Sequence, residues 1–138
     1  MAGGIGSRFW PISRTDFPKQ FLDILNTGRT LIQSTFDRFV KFIPAENIYV
    51  ITFEQYKDIV ALQLPELPAE NILCEPSRKN TAPCVAYISY KLLELNANAN
   101  LICAPSDHII TDEKGFEKVK GFFEHITATI EKKKNECC

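Results

Sequence analysis

The sequence predicts an α/β fold of three layers, a mostly parallel sheet with helices on both faces. Two observations predict it. Three short apolar runs, at 47–52, 71–74 and 100–104, are rich in Ile, Leu and Val and do not alternate with polar residues, which is the character of strands buried on both faces. Amphipathic stretches lie between them, giving the strand–helix–strand order of crossover units. A third observation qualifies the fold. The glycine-rich stretch Gly3-Gly4-Ile5-Gly6 has no apolar run ahead of it, although such loops normally follow a strand that aims them. The stretch from Phe116 on reads as a helix that returns to no further strand. Both ends of the fold are therefore expected to be truncated.

The elements follow in chain order. Residues 30–42 place Leu31, Ile32, Phe36, Phe39 and Val40 on one helical face. The first strand is 47–52, Asn-Ile-Tyr-Val-Ile-Thr. A shorter helix is expected over 54–64, ended by Pro65, and a second strand over 71–74. Residues 80–95 open with Asn80-Thr81-Ala82-Pro83, a cap followed by a first-turn proline, and carry Val85, Ile88, Ser89, Leu92 and Leu93 at helical spacing. The third strand is 100–104. Residues 115–133 align Phe116, Val119, Phe122, Phe123, Ile126 and Ile130. No internal repeat or low-complexity linker is expected.

Composition narrows the function classes. A chain of 138 residues has length for one domain with a real core, and ten Phe with many Ile and Leu supply the apolar surface for it. Sixteen Lys plus Arg against seventeen Asp plus Glu leave a net charge of -1, which argues against a protein that lives on the phosphates of nucleic acid. No apolar run approaches the roughly 18–20 residues that span a bilayer, so no membrane partner is expected. The first 30 residues lack the apolar core of a secretion signal, so a cytoplasmic location is expected. The five cysteines, at 74, 84, 103, 137 and 138, are odd in number, and the first three lack metal-ligand spacing. Cys74 and Cys103 fall in apolar runs and read as small buried hydrophobes. Cys137 and Cys138 follow a charged stretch and read as a frayed end.

Three motifs carry chemistry. In Gly3-Gly4-Ile5-Gly6-Ser7-Arg8-Phe9-Trp10-Pro11 the glycines let the backbone approach a phosphate and present N–H donors to it. Arg8 can fork onto phosphate oxygens, and Lys19, in Pro18-Lys19-Gln20-Phe21, adds a mobile positive charge. The loop is neither the dinucleotide fingerprint nor the Walker loop. The second motif, Glu75-Pro76-Ser77-Arg78-Lys79-Asn80-Thr81-Ala82-Pro83, sets polar groups before a helix N-terminus, which suits a base edge or a ribose as well as simple capping. The third, Ala104-Pro105-Ser106-Asp107-His108, puts a carboxylate just past the end of an expected strand, where open α/β sheets bind ligands. His108 would orient Asp107 or close the turn.

These motifs, in this order over residues 1 to about 117, resemble the signatures of sugar-1-phosphate nucleotidylyltransferases. The variant Gly-Ser-Arg-Phe-Trp-Pro with Pro-Lys-Gln-Phe is similar to the mannose-1-phosphate guanylyltransferase branch. The resemblance implies a Rossmann-like nucleotidyltransferase fold and transfer of GMP from GTP to mannose 1-phosphate, giving GDP-mannose and pyrophosphate. It implies that Ala2, Gly3, Gly4, Gly6, Ser7, Glu75, Asn80 and Thr81 hold the nucleotide. It also implies that Arg8 and Lys19 are catalytic and that Asp107 is a ligand of Mg2+. It makes 1–138 the N-terminal, nucleotide-binding part of a domain whose first strand and sugar-binding half are absent, so the chain alone is expected to be inactive. The apolar residues of the last expected helix, left uncovered, would favour a homo-oligomer. Two other readings stand beside this one: a uridylyl- or thymidylyltransferase for another sugar, and a non-catalytic nucleotide-binding or regulatory module.

Overall fold

The computed structural model describes residues 1–2, 10–76, 81–112, 115, 116 and 118. It divides into two compact units, 1–108 and 109–138. In the second unit the Asp112 carboxylate accepts from the Gly115 amide at 2.8 Å, and the Asp112 carbonyl accepts from the Phe116 amide at 3.1 Å. The expected helical face from Val119 to Ile130 lies outside the described residues.

The first unit is built on two parallel strands, β1 (Val50–Thr52) and β2 (Ile72–Cys74), in the register Val50↔Ile72, Ile51↔Leu73, Thr52↔Cys74. Side chains alternate faces along a strand. Val50 and Ile72 therefore enter one core with Phe21, Ile32, Phe36, Tyr56, Val60, Leu64 and Leu67, whereas Ile51 and Leu73 enter another with Cys84 and Ile88. Helices α1 (Leu31–Val40) and α2 (Lys57–Gln63) cover the first face, and α3 (Thr81–Leu95) covers the second. These are the three layers expected, and burial on both faces is why the strands show no polar alternation.

Helix α1 matches the expected helix closely because its signals are local. Thr30 accepts from the Gln33 amide at 3.4 Å, and the Gln33 side chain accepts from the Thr30 amide at 3.0 Å. This capping box satisfies two of the donors that a helix start leaves open. Leu31, Ile32 and Phe36 are buried as the periodicity predicts, joined by Thr35, whose hydroxyl bonds back to the Leu31 carbonyl at 2.9 Å. Helix α3 departs from its predicted face. It buries Cys84 and Ile88, with Leu92 packed partly against them, while Ser89 and Leu93 are exposed. Its contact stripe is narrow because it meets one short sheet face.

Contrary to the expectation of no internal repeat, a short repeat organises the strand entries. Pro44-Ala45-Glu46-Asn47-Ile48 recurs as Pro68-Ala69-Glu70-Asn71-Ile72. Each copy forms a 3-10 turn, Ala45–Asn47 and Ala69–Asn71, led by an extended proline. The Asn71 amide then donates to the carbonyls of Glu46 at 2.8 Å and Ile48 at 2.9 Å. The second turn thus locks onto the first and helps set the parallel register.

The third expected strand is not formed. Met1 and Ala2 lie between β1 and the 104–106 segment. The Ala2 amide donates to Ile51 O at 2.8 Å, while the Met1 ammonium donates to Ala104 O at 3.0 Å and Met1 O accepts from the Ser106 amide at 3.2 Å. Among the described residues the bonds of this segment to Met1 fall at its far end, and a ladder needs successive pairings. Leu101 and Cys103 are accordingly exposed, which corrects the reading of Cys103 as a buried hydrophobe; Cys74 is half-buried. Among the described residues no helix is long and apolar enough to cross a membrane.

Candidate functional site

The site lies at the carboxyl ends of β1 and β2. Lys19 opens a 3-10 turn, Lys19–Phe21, and Asp107 follows the 104–106 segment. Lys19 Nζ stands 2.7 Å from Asp107 Oδ2, and both side chains are partly exposed. His108 Nε2 is 3.9 Å from Asp107 Oδ1 but its side chain is 71% exposed, which is too open and too long a contact to orient the carboxylate firmly. The structure thus brings together two residues far apart in the chain that the sequence singled out separately.

Their supports converge on Met1 and Ala2. Gln20, buried beside Lys19, donates to Ala2 O at 2.8 Å, and the Thr52 hydroxyl reaches the same oxygen at 3.3 Å. Ser106, beside Asp107, donates its hydroxyl to Met1 O at 2.7 Å. The neighbours of Lys19 and Asp107 are therefore tied to the successive residues Met1 and Ala2, which brings the two side chains to one place. Phe21 anchors the turn from within, its ring 5.7 Å from that of Tyr56, and the Tyr56 hydroxyl bonds to the Thr15 carbonyl. Ala2 itself, a predicted nucleotide contact, has its amide committed to Ile51 and its carbonyl to Gln20 and Thr52. Its backbone N–H is therefore not a spare donor.

Glu75 follows β2, its amide bonded to Thr52 O at 2.8 Å. Its carboxylate lies against the first turn of α3. There burial pushes the Cys84 thiol up to about 11, and Glu75 adds to the effect. Thr81 begins α3 and is exposed. Gly3, Gly4, Gly6, Ser7, Arg8 and Asn80 lie outside the described residues. Gln20, Tyr56, Thr52 and Ser106 were not singled out in the sequence. Gln20 and Ser106 stand inside quoted motifs, which was a usable signal, whereas Tyr56 and Thr52 had none.

Among the described residues no three His, Cys, Asp or Glu side chains gather where they would hold a metal by themselves. Asp107 supplies a single hard oxygen donor. That fits a magnesium-type ion whose remaining ligands are substrate phosphates and water, and does not fit a preformed zinc cage.

Comparisons with known proteins place nearly the whole chain in a family. A family model described as "Nucleotidyl transferase" matches residues 1–135. The mannose-1-phosphate guanylyltransferase of Salmonella montevideo is 46% identical over 120 residues, covering 86% of this chain and 25% of that protein. The alginate biosynthesis protein AlgA of Pseudomonas putida is 41% identical over 120 residues, covering 86% of this chain and 24% of that protein. A crystal structure described as mannose-1-phosphate geranyltransferase from Thermus thermophilus superposes with a TM-score of 0.74 at 28% identity, covering 88% of this chain and 35% of that one. The chain spans about a quarter of the length of the curated relatives it matches.

Proposed function

The chain belongs to the nucleotidyl transferase family, and from that premise we propose that it is the nucleotide-binding part of an enzyme that transfers GMP from GTP to mannose 1-phosphate. The observation that carries this reading is the Lys19–Asp107 pair at 2.7 Å. It sets a phosphate-neutralising cation beside a metal-competent carboxylate, at the end of the sheet where such ligands bind.

In the proposed reaction a phosphate oxygen of mannose 1-phosphate attacks the α-phosphorus of GTP, forming the new P–O bond as the bond to pyrophosphate breaks. No covalent enzyme intermediate is required, so the protein's task is alignment and charge neutralisation. Gly3, Gly4, Gly6 and Ser7 would present donors to the phosphates, Ala2 would lie close against them, and Arg8 would fork onto their oxygens. Lys19 would offset charge on the α-phosphoryl and the departing pyrophosphate. Glu75, Asn80 and Thr81 would hold the guanosine. Asp107 would hold Mg2+, which when bound supplies further neutralisation of the phosphate oxygens. A cytoplasmic location, where GTP is made and kept, belongs to the same proposal.

The test has two parts. GTP, rather than UTP, should bind the 138-residue chain in an equilibrium titration, and the complete protein should release pyrophosphate only when mannose 1-phosphate is present. Pyrophosphate release by the 138-residue chain alone would contradict the assignment of the acceptor site to the rest of the protein. Preference for UTP would favour the uridylyltransferase reading.

A further inference from the structure

The turn that carries Lys19 is tied to the helical layer by a side chain outside every motif. Gln63 is the last residue of α2. Its Nε2 donates to the Phe21 carbonyl at 3.0 Å and its Oε1 accepts from the Thr30 hydroxyl at 2.8 Å. Its own carbonyl, one of the acceptors a helix end leaves open, accepts from the Gln33 side chain at 2.9 Å. Thr30 and Gln33 are the two members of the capping box that starts α1. One amide therefore joins the end of α2, the start of α1 and the Lys19–Phe21 turn.

We propose that Gln63 is a positioning residue for Lys19: its amide fixes the height of the turn, and so the place from which Lys19 reaches Asp107. Packing of the Phe21 ring on Tyr56 holds the turn inward but is non-directional, and the Gln20 bond to Ala2 O and the bond from Leu31 N to Leu22 O at 3.2 Å tie the turn only on either side of Phe21. The bond to Phe21 O is directional. The turn transmits it to Lys19 through its own closures, Phe21 N to Pro18 O at 3.0 Å and Leu22 N to Lys19 O at 3.1 Å. Glutamine is required because the two ends of the amide do opposite jobs, a donor toward Phe21 and an acceptor toward Thr30. Glutamate keeps only the acceptor. The geometric claim stands on these bonds alone, while its consequence for nucleotide binding rests on the proposed function.

The experiment compares lysine acylation in the full chain, mapped by peptide mass, between wild type, Gln63→Glu and Val60→Ala. Gln63→Glu should raise acylation of Lys19 about threefold or more with Lys91 unchanged, as loss of the bond at Phe21 O loosens the turn between its two flanking ties. Val60→Ala loosens the same helix without touching the amide and should leave Lys19 near its wild-type rate. Wild-type acylation in Gln63→Glu, or an equal rise in Val60→Ala, overturns the proposal. If Gln63→Glu does not fold, Gln63→Met carries the same expectation. A second arm measures GTP affinity. Gln63→Glu should weaken it several-fold in the presence of Lys19 and leave it unchanged when Lys19→Met is already in place. An equal loss in both backgrounds marks a merely structural role and overturns the proposal. Absence of GTP binding in every variant overturns the nucleotide reading instead, and the acylation arm still decides on Gln63.

Discussion

Lys19 and Asp107 neutralise each other across 2.7 Å, so under the proposed function the nucleotide would exchange this pair for contacts of its own. Such a partly exposed pair is worth about 1 kcal/mol or less, a small barrier to a polyanion. The exchange makes Asp107→Asn act in opposite directions. Without metal, the variant releases Lys19 to the phosphates and removes a repelling carboxylate, so GTP should bind about fivefold more tightly. With Mg2+ present, exchange of the charged carboxylate for a neutral amide, a much weaker ligand, should weaken binding relative to wild type. Isothermal titration with and without Mg2+ checks this, and a change of the same sign in both conditions would remove Asp107 from its assigned role.

In the complete protein, Lys19→Ala and Arg8→Ala should lower turnover far more than thermal stability. Lys19 sits on a turn held by Gln20, Phe21 and Gln63 through bonds that do not involve its ammonium. A loss of one or more orders of magnitude in kcat, with a melting temperature moved by only a few degrees, is the expected pattern. Near-normal kcat in either variant would rule out its catalytic assignment.

The duplicated turn offers an internally controlled stability experiment. Asn71 is buried and satisfies two carbonyls of the preceding turn, whereas Asn47, its counterpart in the first copy, is exposed. Asn71→Ala leaves those carbonyls without their partner and should cost about 2–3 kcal/mol. Asn47→Ala should cost less than about 0.5 kcal/mol. Urea unfolding of the two variants decides it, and equal losses would show that the second turn does not lock onto the first.

What could be read in the sequence depended on how local its cause was. The helix around Phe36 was legible because its cap, Thr30, and its apolar period lie within one short window. Strands β1 and β2 were legible because burial on both faces leaves a run with no polar alternation. The 100–104 run has the same composition, yet a strand also needs a neighbour, and pairing is not written in the run itself. The motif residues Lys19 and Asp107 were legible as types, while their proximity was not. Gln63 was invisible because a glutamine at a helix end gains its role only from what two other elements bring to it.

The cysteines should separate by environment. Cys103 is exposed, and Cys84 is buried with its thiol pushed up to about 11, by burial first and the Glu75 carboxylate second. Since the thiolate is the reactive form, a disulfide reagent at pH 8 should modify Cys103 rapidly and Cys84 only at the rate of unfolding. The same shift gives a pH dependence. A group whose folded pKa lies above its unfolded value contributes stability that is complete below the unfolded value of 9.0 and is lost as pH rises toward about 11. Stability should therefore fall between pH 9 and 11, and less so in Cys84→Ala after allowing for that variant's lower starting point. A wild-type profile parallel to that of Cys84→Ala would remove the thiol as its source.

Trp10 supplies an optical probe for the whole proposal. It is the only tryptophan in the chain, it is 77% exposed, and it stands four residues after Gly6, the last glycine of the loop. An indole so open to water should emit at long wavelength and be quenched efficiently by iodide. If residues 3–8 wrap the phosphates, a bound nucleotide brings negative charge and bulk next to Trp10, and both keep iodide away. Saturating GTP should then lower the iodide quenching constant about twofold or more, while a neutral quencher such as acrylamide, which feels only the bulk, should be affected less. Lys19→Met should shift the GTP concentration at which protection appears without changing its final extent, because it weakens binding but leaves the loop in place. Unchanged iodide quenching at GTP concentrations shown by titration to saturate the chain would separate the bound nucleotide from the loop, and with it the assignment of Gly3, Gly4 and Gly6.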